Sequence, residues 1–342
     1  MNGFDRDFYH KYLRDGLPDE IYDSHAHIWT KDFVLKSAAQ DAKTADWVHN
    51  FCADHALAGD ELPGLYTRLF EGKKVSSLVF GWVENNVDVP ANNRYVGGQV
   101  KKNPVLRGLA VSKAAYSPDE LLREVEGNGL IGLKPYPSFA PENIPPEDVR
   151  ITDMITAQQL SLANEREWVV LLHIPRAKRL ADRANIEDIM TIERNFPHIR
   201  LIVAHIGRAY CMEDIGEAFE VLKDTKNVMF DFAAHTNAEV FQKTLAAFGP
   251  GRILFGSDLP ITTMRLRREH RDGRYINIVP AGSCGDVSAD PHMREAAAEE
   301  AEGITFFLYE SIAAMLRAAG ETGLTQNDIG RIFYRNAKDF IG

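Results

Sequence analysis

The sequence predicts an α/β protein, a single (β/α)₈ barrel of the TIM-barrel type spanning residues 1–342. Three observations lead to this prediction. Eight short apolar runs recur along the chain, helical patterns alternate with them, and eight such units over about 250 residues match the usual size of this barrel. Most of the runs are near-continuously apolar rather than alternating, which is typical of parallel strands that are covered on both faces.

The predicted strands share β-branched, apolar composition and turn residues at their ends. They are Ile21–Trp29, Ser76–Val83, Val105–Ser112, Leu130–Tyr136, Trp168–Ile174, Arg200–Ile206, Asn227–Phe232 and Arg252–Asp258. Strict alternation of strand and helix over eight units indicates a closed barrel, with a large doubly wound sheet as the alternative.

The segments between the strands carry helix signals. Ser117 is followed by Pro118 and, three residues on, by Glu120, which predicts a capped helix start. Apolar residues at three-to-four spacing predict further helices. These are Ile151–Arg166, Lys178–Asn195, Met212–Lys223, Ala238–Phe248, Ile304–Ala319 and Asp328–Ile341.

Two segments exceed the minimal pattern and are interpreted as insertions. Thr30–Val75 follows strand 1, and Ile261–Glu299 follows strand 8. Loops at the carboxyl ends of barrel strands usually shape the substrate pocket. The second insertion begins with the basic cluster Arg265–Arg271, for which a solvated basic turn is the competing interpretation.

Composition excludes several classes of partner. The net charge is −10, whereas proteins held to nucleic acid by phosphate contacts need a basic face. No apolar stretch reaches the roughly 18 residues that span a bilayer, and no secretory leader is recognisable. Three scattered cysteines, none in a CxxC motif, favour a reducing cytoplasmic setting. We therefore expect a small-molecule substrate.

Four of the predicted strands end in residues that bind metals. The five side chains are His25 and His27 after strand 1, His173 after strand 5, His205 after strand 6 and Asp258 after strand 8. On a strand, residues i and i+2 point to the same side, so His25 and His27 can face one point. The carboxyl ends of barrel strands meet at one rim, where catalytic groups collect.

Each of these residues alone is a weak signal. A lone His-x-His or a buried histidine is often hydrogen-bonded packing, and a lone Asp258 could cap the next helix. Four strands with such residues at the same end would need four independent explanations. Together they predict a divalent metal site; zinc is the first expectation, with Mn²⁺ or Fe²⁺ as alternatives.

These motifs resemble the amidohydrolase superfamily, and within it the amidohydrolase-related branch with small lactonases and aminocarboxymuconate-semialdehyde-type decarboxylases. The resemblance extends from Tyr22 to Ile341. It rests on His25-Ala26-His27, Leu171-Leu172-His173, Ala204-His205-Ile206-Gly207, Gly256-Ser257-Asp258-Leu259-Pro260 and the terminal Ile332-Phe333-Tyr334-Arg335-Asn336-Ala337.

The resemblance implies a role for each matching residue. His25, His27, His173 and Asp258 would hold one divalent metal. His205 would face the substrate, polarising a carbonyl or handling a proton, and Asp258 would also accept the proton of the attacking water. A homodimer is expected from the same resemblance.

Lys134 on strand 4 leaves the metal count open. In two-metal amidohydrolases a lysine at this strand is carbamylated and bridges the ions, with His205 then binding the second ion. Lys134 could equally anchor a substrate carboxylate or form a structural ion pair.

Further residues after the strands are candidates for substrate binding. Arg176 and Arg208 follow the strand-5 and strand-6 histidines by three residues and could grip a carboxylate, or could form surface ion pairs. Tyr136 and His235 follow strands 4 and 7 and could line the pocket, or could be wall or core residues.

Two enzymatic functions follow from the same ligand set. The first is hydrolysis of an amide, lactone or ester-like bond of a small anionic substrate by a metal-activated water. The alternative is non-oxidative decarboxylation of an aromatic or unsaturated acid, which makes the protein a lyase. A non-catalytic barrel that keeps a structural metal is a third hypothesis, from a different class.

Overall fold

The computed structural model describes residues 1–35 and 46–342, and its central feature is a ring of short parallel strands. We number these strands in chain order. They are β1 (Glu20–His27), β2 (Lys74–Phe80), β3 (Leu106–Gly108 and, after Leu109, Ala110–Ser112), β4 (Gly132–Pro135), β5 (Val169–Leu172), β6 (Arg200–Val203), β7 (Val228–Asp231) and β8 (Ile253–Leu254). Each of the eight falls inside or overlaps a predicted run.

Consecutive strands pair in parallel throughout the ring. The first part of β3 pairs with β2 and the second part with β4, so the two hydrogen-bonded sheets meet at Leu109. Pairing then continues from β4 to β8. The ring closes where the Ser24 amide donates to Phe255 O and the His27 amide donates to Leu259 O. The predicted barrel is therefore confirmed.

Helices cover the outside of the ring, and the predicted starts agree at Pro118 and Ala238. The predicted helix Lys178–Asn195 begins only at Arg183, and Met212–Lys223 only at Ala218. Ser117 caps the helix Pro118–Val125 with the expected reciprocal bond to Glu120. The helices are Gly3–Phe8, Asp46–Asp54, Leu62–Leu69, Val89–Lys102, Pro118–Val125, Ile151–Met154, Ala157–Glu165, Arg183–Asn195, Ala218–Leu222, Ala238–Phe248, Ala298–Ala301, Phe307–Glu321, Gln326–Gly330 and Asn336–Ile341.

Alternate residues of the strands enter two different apolar clusters. In β5, Val170 and Leu172 pack in the large cluster formed with the helices, whereas Val169 and Leu171 pack in the second cluster. This period of two follows from the pleat of a strand. His173 continues the direction of Val169 and Leu171, which carries its side chain towards the mouth of the barrel.

The segments after β1 and β8 form additional structure above the barrel. Between β1 and β2 the described residues hold the helices Asp46–Asp54 and Leu62–Leu69, and the predicted segment Thr30–Val75 lies partly outside the described residues. After β8 the chain forms a small separate sheet of β9 (Arg267–Arg271), β10 (Arg274–Pro280) and β11 (Met293–Ala296).

The interpretation of Arg265–Arg271 as a solvated turn is wrong. Arg267–Arg271 is a strand paired antiparallel to β10, and the side chain of Arg268 is buried. Pairing in the sheet satisfies the backbone N–H and C=O groups of this segment. Its basic composition alone does not indicate a strand. Within the described residues, no helix has the length and apolar character needed to cross a membrane.

Candidate active site

The His-x-His pair at the end of β1 brings two imidazoles to the barrel mouth. The rings of His25 and His27 have centroids 5.7 Å apart, and both side chains are buried. The Nε2 atom of His27 lies 3.2 Å from Oδ1 of Asp258, and that of His25 lies 3.5 Å from the same oxygen. The carboxyl ends of β1 and β8, which the barrel closure brings together, therefore hold one group of ligand atoms.

His205 belongs to the same group. Ligand atoms of His25, His205 and Asp258 all lie within 4.8 Å of one another, a spacing at which one metal ion could bind them. The ring centroids of His25 and His205 are 4.8 Å apart. Three strands that are distant in sequence thus supply adjacent donors.

The backbone that presents these residues is left-handed at two of them. His205 has φ +56° and Asp258 has φ +60°, a region that costs L-residues roughly 1–2 kcal/mol. The left-handed turn continues to Gly207, where an added Cβ would lie 2.6 Å from Cδ1 of Leu180. Strained backbone of this kind is concentrated at functional sites, where it fixes side-chain direction.

Each of the three imidazoles is held by its Nδ1 atom. In His25 this atom lies 3.0 Å from Oδ2 of Asp231, in His27 it lies 3.3 Å from Gly81 O, and in His205 it lies 2.8 Å from Ala233 O. Carboxylate and carbonyl oxygens only accept, so each Nδ1 carries the proton. Each Nε2 atom therefore presents a lone pair to the cavity.

This arrangement of acceptors fits a cation. Burial lowers the pKa of His25 and His27, and lowers that of His205 to about 4, so these imidazoles are neutral at pH 7. Burial raises the pKa of Asp258, but its contacts with His27, His25 and His205 outweigh burial and hold that pKa well below its usual range. Without a cation between them, the Nε2 lone pairs and the ionised carboxylate of Asp258 would repel one another.

His173 lies beside this group rather than within it. Its ring centroid is 5.4 Å from that of His205 and 4.7 Å from that of Tyr136. Its buried Nδ1 has no hydrogen-bond partner within the described part of the chain. Burial, together with the charge of Arg208, holds the pKa of His173 well below its usual range.

Lys134 is fully buried against the same group. Its Nζ lies 3.5 Å from Nε2 of His25 and 4.7 Å from the centroid of the Phe80 ring. Burial lowers the pKa of Lys134 to about 8, although the charges of Asp231 and Asp258 oppose that shift. The ammonium and a metal ion would compete for the same carboxylates.

Asp231, at the end of β7, was missed by the sequence analysis. Besides holding His25, its Oδ1 accepts from the backbone amides of His205 and Ala233. Burial raises the pKa of Asp231, but its interactions with His25 and His205 outweigh burial and leave that pKa below its usual value. A charged residue closing an apolar strand was the signal that could have revealed it.

A cavity of about 170 Å³ opens over these residues. Its walls include four of the predicted metal or catalytic histidines, Asp258, and the predicted substrate residues Tyr136 and Arg208. Aromatic and basic residues that the sequence analysis did not assign complete the lining. They are Trp47, Trp82, Tyr210, Arg268, Tyr275 and Phe307.

Two predicted substrate residues lie away from this cavity lining. Arg176 forms an ion pair with Asp182, with Nε 3.1 Å from Oδ1, and donates to Asp148 O. His235 is fully buried, and its Nε2 lies 2.6 Å from Ala209 O. These contacts correspond to the ion-pair and core interpretations that the sequence left open for them.

The family model for amidohydrolases (Amidohydro_2) matches residues 22–342. The chain belongs to this amidohydrolase family. No curated protein matches the chain in sequence.

Solved structures similar to this amidohydrolase share its fold over nearly the whole chain. An amidohydrolase 2 from Bifidobacterium longum subsp. infantis has a TM-score of 0.53 at 14% identity, covering 94% of this chain and 98% of its own. An amidohydrolase from Burkholderia multivorans with bound zinc has a TM-score of 0.57 at 13% identity, covering 94% and 99%. A 2,6-dihydroxybenzoate decarboxylase from Rhizobium has a TM-score of 0.52 at 12% identity, covering 95% and 98%.

Proposed function

We propose that this amidohydrolase is a metal-dependent hydrolase that cleaves an amide, lactone or ester-like bond of a small anionic substrate. The observation that carries the proposal is that ligand atoms of His25, His205 and Asp258 lie within 4.8 Å of one another in one cavity. Nε2 of His27 lies 3.2 Å from the same carboxylate. When bound, a divalent ion would supply Lewis acidity towards a carbonyl oxygen and towards water.

The distances favour His25, His205 and Asp258 as residues that hold the ion. His27 joins them through Asp258, whose Oδ1 lies 3.2 Å from its Nε2. The sequence-based hypothesis gave the fourth position to His173 and a substrate-facing role to His205. We favour the exchange because the ligand atoms of His205 lie within 4.8 Å of those of His25 and Asp258. His173 lines the cavity with an unpartnered nitrogen and is left to contact the substrate. Three histidines and a carboxylate suit zinc, with manganese or iron as alternatives.

The protein side chains would then divide the work of hydrolysis. Asp258 would accept the proton of the attacking water and pass it to the leaving group, as a general base. His173 would donate a hydrogen bond to the carbonyl oxygen as negative charge develops there. The enclosed, aromatic walls would exclude bulk water and strengthen both interactions.

One ion is favoured over two. The Lys134 ammonium lies 3.5 Å from His25 and balances the charges of Asp231 and Asp258. Replacing Lys134 with Met would leave one ion per chain if the lysine is a counter-charge. Loss of a second ion, measured by elemental analysis of both proteins, would instead support a carbamate bridge.

Decarboxylation is the second candidate, and the aromatic lining favours it. Tyr136, Tyr210 and Tyr275 border the cavity, and cavities of about 150 Å³ bind a benzene-sized ring. Against it stand the cations Arg208 and Arg268 in the same cavity. A guanidinium that held the departing carboxylate would stabilise it more than the neutral CO₂ that leaves, and would raise the barrier to loss of CO₂.

The two reactions release different products. Purified, metal-loaded protein would be incubated with a panel of lactones, amides and aromatic acids. Hydrolysis releases a proton from a lactone or ester and produces no CO₂, and a pH-indicator assay would follow it. Evolution of CO₂ from an aromatic acid, with no turnover of any lactone or amide, would overturn the hydrolase proposal. Asp258→Asn, expected to be inactive, controls for contaminating enzymes.

A further inference from the structure

A buried arginine from the small sheet above the barrel forms part of the cavity wall. Arg268 on β9 is 8% exposed, whereas the side chain of its neighbour Arg267 is 34% exposed and pairs with Glu300. Arg268 Nε donates to Oδ1 of Asn277, the residue opposite it on β10, at 2.8 Å. Its Nη1 donates to Ala234 O at 3.0 Å. The side chain is therefore fixed by the sheet and by the loop after β7.

The charge of Arg268 is not neutralised by the protein. Among the side chains that the structure describes, no carboxylate lies within 4.0 Å of its guanidinium, and its acceptors are an amide and a carbonyl oxygen. Arginine keeps its proton when buried, and an unpaired buried charge is costly. Arg179 provides the contrast, because it stacks on the same Tyr210 and Tyr275 rings but is paired with Asp214 at 2.6 Å.

A second guanidinium in the cavity, that of Arg208, also has no carboxylate partner among the described residues. Arg208 Nη1 donates to the carbonyl oxygens of residues 174–176, and no acidic group of the described chain lies within 4.0 Å of it. Both arginines line the cavity that contains the His25 and Asp258 group. The loop after β7 links the two regions, since Ala233 O holds His205 and the next carbonyl, Ala234 O, holds Arg268.

Aromatic rings surround the Arg268 guanidinium on several sides. Its central carbon lies 4.7 Å from the Tyr210 ring centroid, 4.6 Å from that of Tyr275 and 4.7 Å from that of Phe307. The rings exclude water and lower the local dielectric, which strengthens attraction to an anion. A flat ligand that carries one carboxylate would match both the rings and the planar guanidinium.

We propose that Arg268, assisted by Arg208, binds a carboxylate of the substrate that is not the group cleaved. The proposal rests on the proposed function and narrows its substrate to a ring-sized carboxylic acid, such as a lactone or cyclic amide with a free carboxylate. The carboxylate is held at the side of the cavity next to β9, and the bond to be cleaved is directed towards His25 and Asp258. The small sheet after β8 thereby determines specificity.

Benzoate and its neutral isostere benzamide are the probes that test this proposal. Their binding would be measured by calorimetry on the metal-loaded protein and on chelator-treated protein, because benzoate could also bind a metal ion. Arg268→Met keeps the volume of the side chain and removes its charge. Arg267→Met, one residue away on the opposite face of the same strand, is the matched control.

Benzoate is expected to bind chelator-treated wild-type protein and Arg267→Met equally, and to bind Arg268→Met about 30-fold more weakly or worse. Benzamide is expected to bind all three within a few-fold. Unchanged benzoate affinity in folded Arg268→Met would overturn the proposal. If that variant does not fold, equal affinity of wild-type protein for benzoate and benzamide would overturn it.

The two proposals fail in distinguishable ways. Absence of a bound divalent ion in the purified protein and of hydrolysis would remove the proposed function, while benzoate binding to chelator-treated protein would still report on Arg268. Conversely, a metal-loaded hydrolase whose benzoate affinity is insensitive to Arg268→Met would retain the function and lose the carboxylate subsite.

Discussion

The Nδ1 atom of His25 lies 3.0 Å from Oδ2 of Asp231, and both side chains are buried. The pair joins the end of β1 to the end of β7 across the barrel mouth. Because the carboxylate fixes the Nδ1–H tautomer, Nε2 of His25 is left as a lone pair directed at Asp258. Asp231, which is not part of the cavity lining, thus sets the direction of a candidate metal-binding atom.

Replacing Asp231 with Asn tests this positioning role. The amide keeps the size of the side chain but binds the imidazole less strongly, so we expect metal affinity to fall about 10–100-fold. Affinity would be measured by competition with a chelator of known strength. Asp286→Asn, at an exposed site that bonds only to Ser288, is the control. Equal metal affinity of the two variants would show that Asp231 does not position the ligand.

Separate alanine variants of His205 and His173 test which histidine completes the metal site. We expect His205→Ala to lose bound metal, because its ligand atom lies within 4.8 Å of those of His25 and Asp258. His173→Ala should keep the metal and lose turnover by about 10²–10⁴-fold, the usual contribution of a proton-handling group. Elemental analysis and kinetics on the same preparations separate the effects, and exposed His198→Ala is the control. Loss of metal in His173→Ala, with metal retained in His205→Ala, would show that His173 is the ligand.

Gly256→Ala tests how closely β8 packs against His25. An added Cβ would lie 2.8 Å from Cβ of His25 and 3.1 Å from that of Ala233, so His25 must move. We expect a loss of about 1–3 kcal/mol in the free energy of unfolding, as for other overpacked cores, together with weaker metal binding. Gly98→Ala, in the helix Val89–Lys102 with no atom within 4 Å of the new Cβ, is the matched control. Unchanged metal affinity in Gly256→Ala would contradict the close packing.

Buried His235 predicts a loss of stability in acid. Burial lowers its pKa to about 3, whereas the unfolded chain binds the proton near the ordinary value of about 6.5. Protonation therefore favours the unfolded state. The contribution of neutral His235 to the free energy of unfolding is intact above pH 6.5 and falls as pH decreases towards 3. Between pH 7.5 and 5 the effect is about 2 kcal/mol.

Denaturant unfolding at both pH values checks this prediction. His235→Gln should lose less stability on acidification than wild-type protein, because the residue that gains the proton on unfolding is gone. Exposed His198→Gln should keep the wild-type dependence. An identical dependence in all three proteins would mean that His235 can be protonated without unfolding.

The apolar strand runs made both the barrel and the location of its candidate site predictable from the sequence. Apolar runs that must be buried on both faces define the strands, and the strand ends then place His25, His173, His205 and Asp258 at one rim. The resemblance to amidohydrolases rested on these same strand ends, and the family match over residues 22–342 confirms it.

Other features depended on contacts that a sequence does not contain. The loop path after each strand decides that Arg208 faces the cavity while Arg176 pairs with Asp182. The pairing of β9 with β10 buries Arg268 and leaves Arg267 half-buried in an ion pair with Glu300, although both belong to one polar segment. Asp231 stands out in the sequence as a charged residue in an apolar run. Its partner His25 lies 206 residues away, so the sequence does not indicate their contact.

The most direct test of the account is the metal content of the purified protein, measured per chain by elemental analysis beside His25→Ala. We predict one divalent ion per wild-type chain and less than a tenth of that in the variant, with hydrolytic turnover lost in parallel. A wild-type protein that turns over substrate without a bound ion, or a His25→Ala protein with full metal content, would contradict the central claim that these imidazoles and Asp258 converge on a metal.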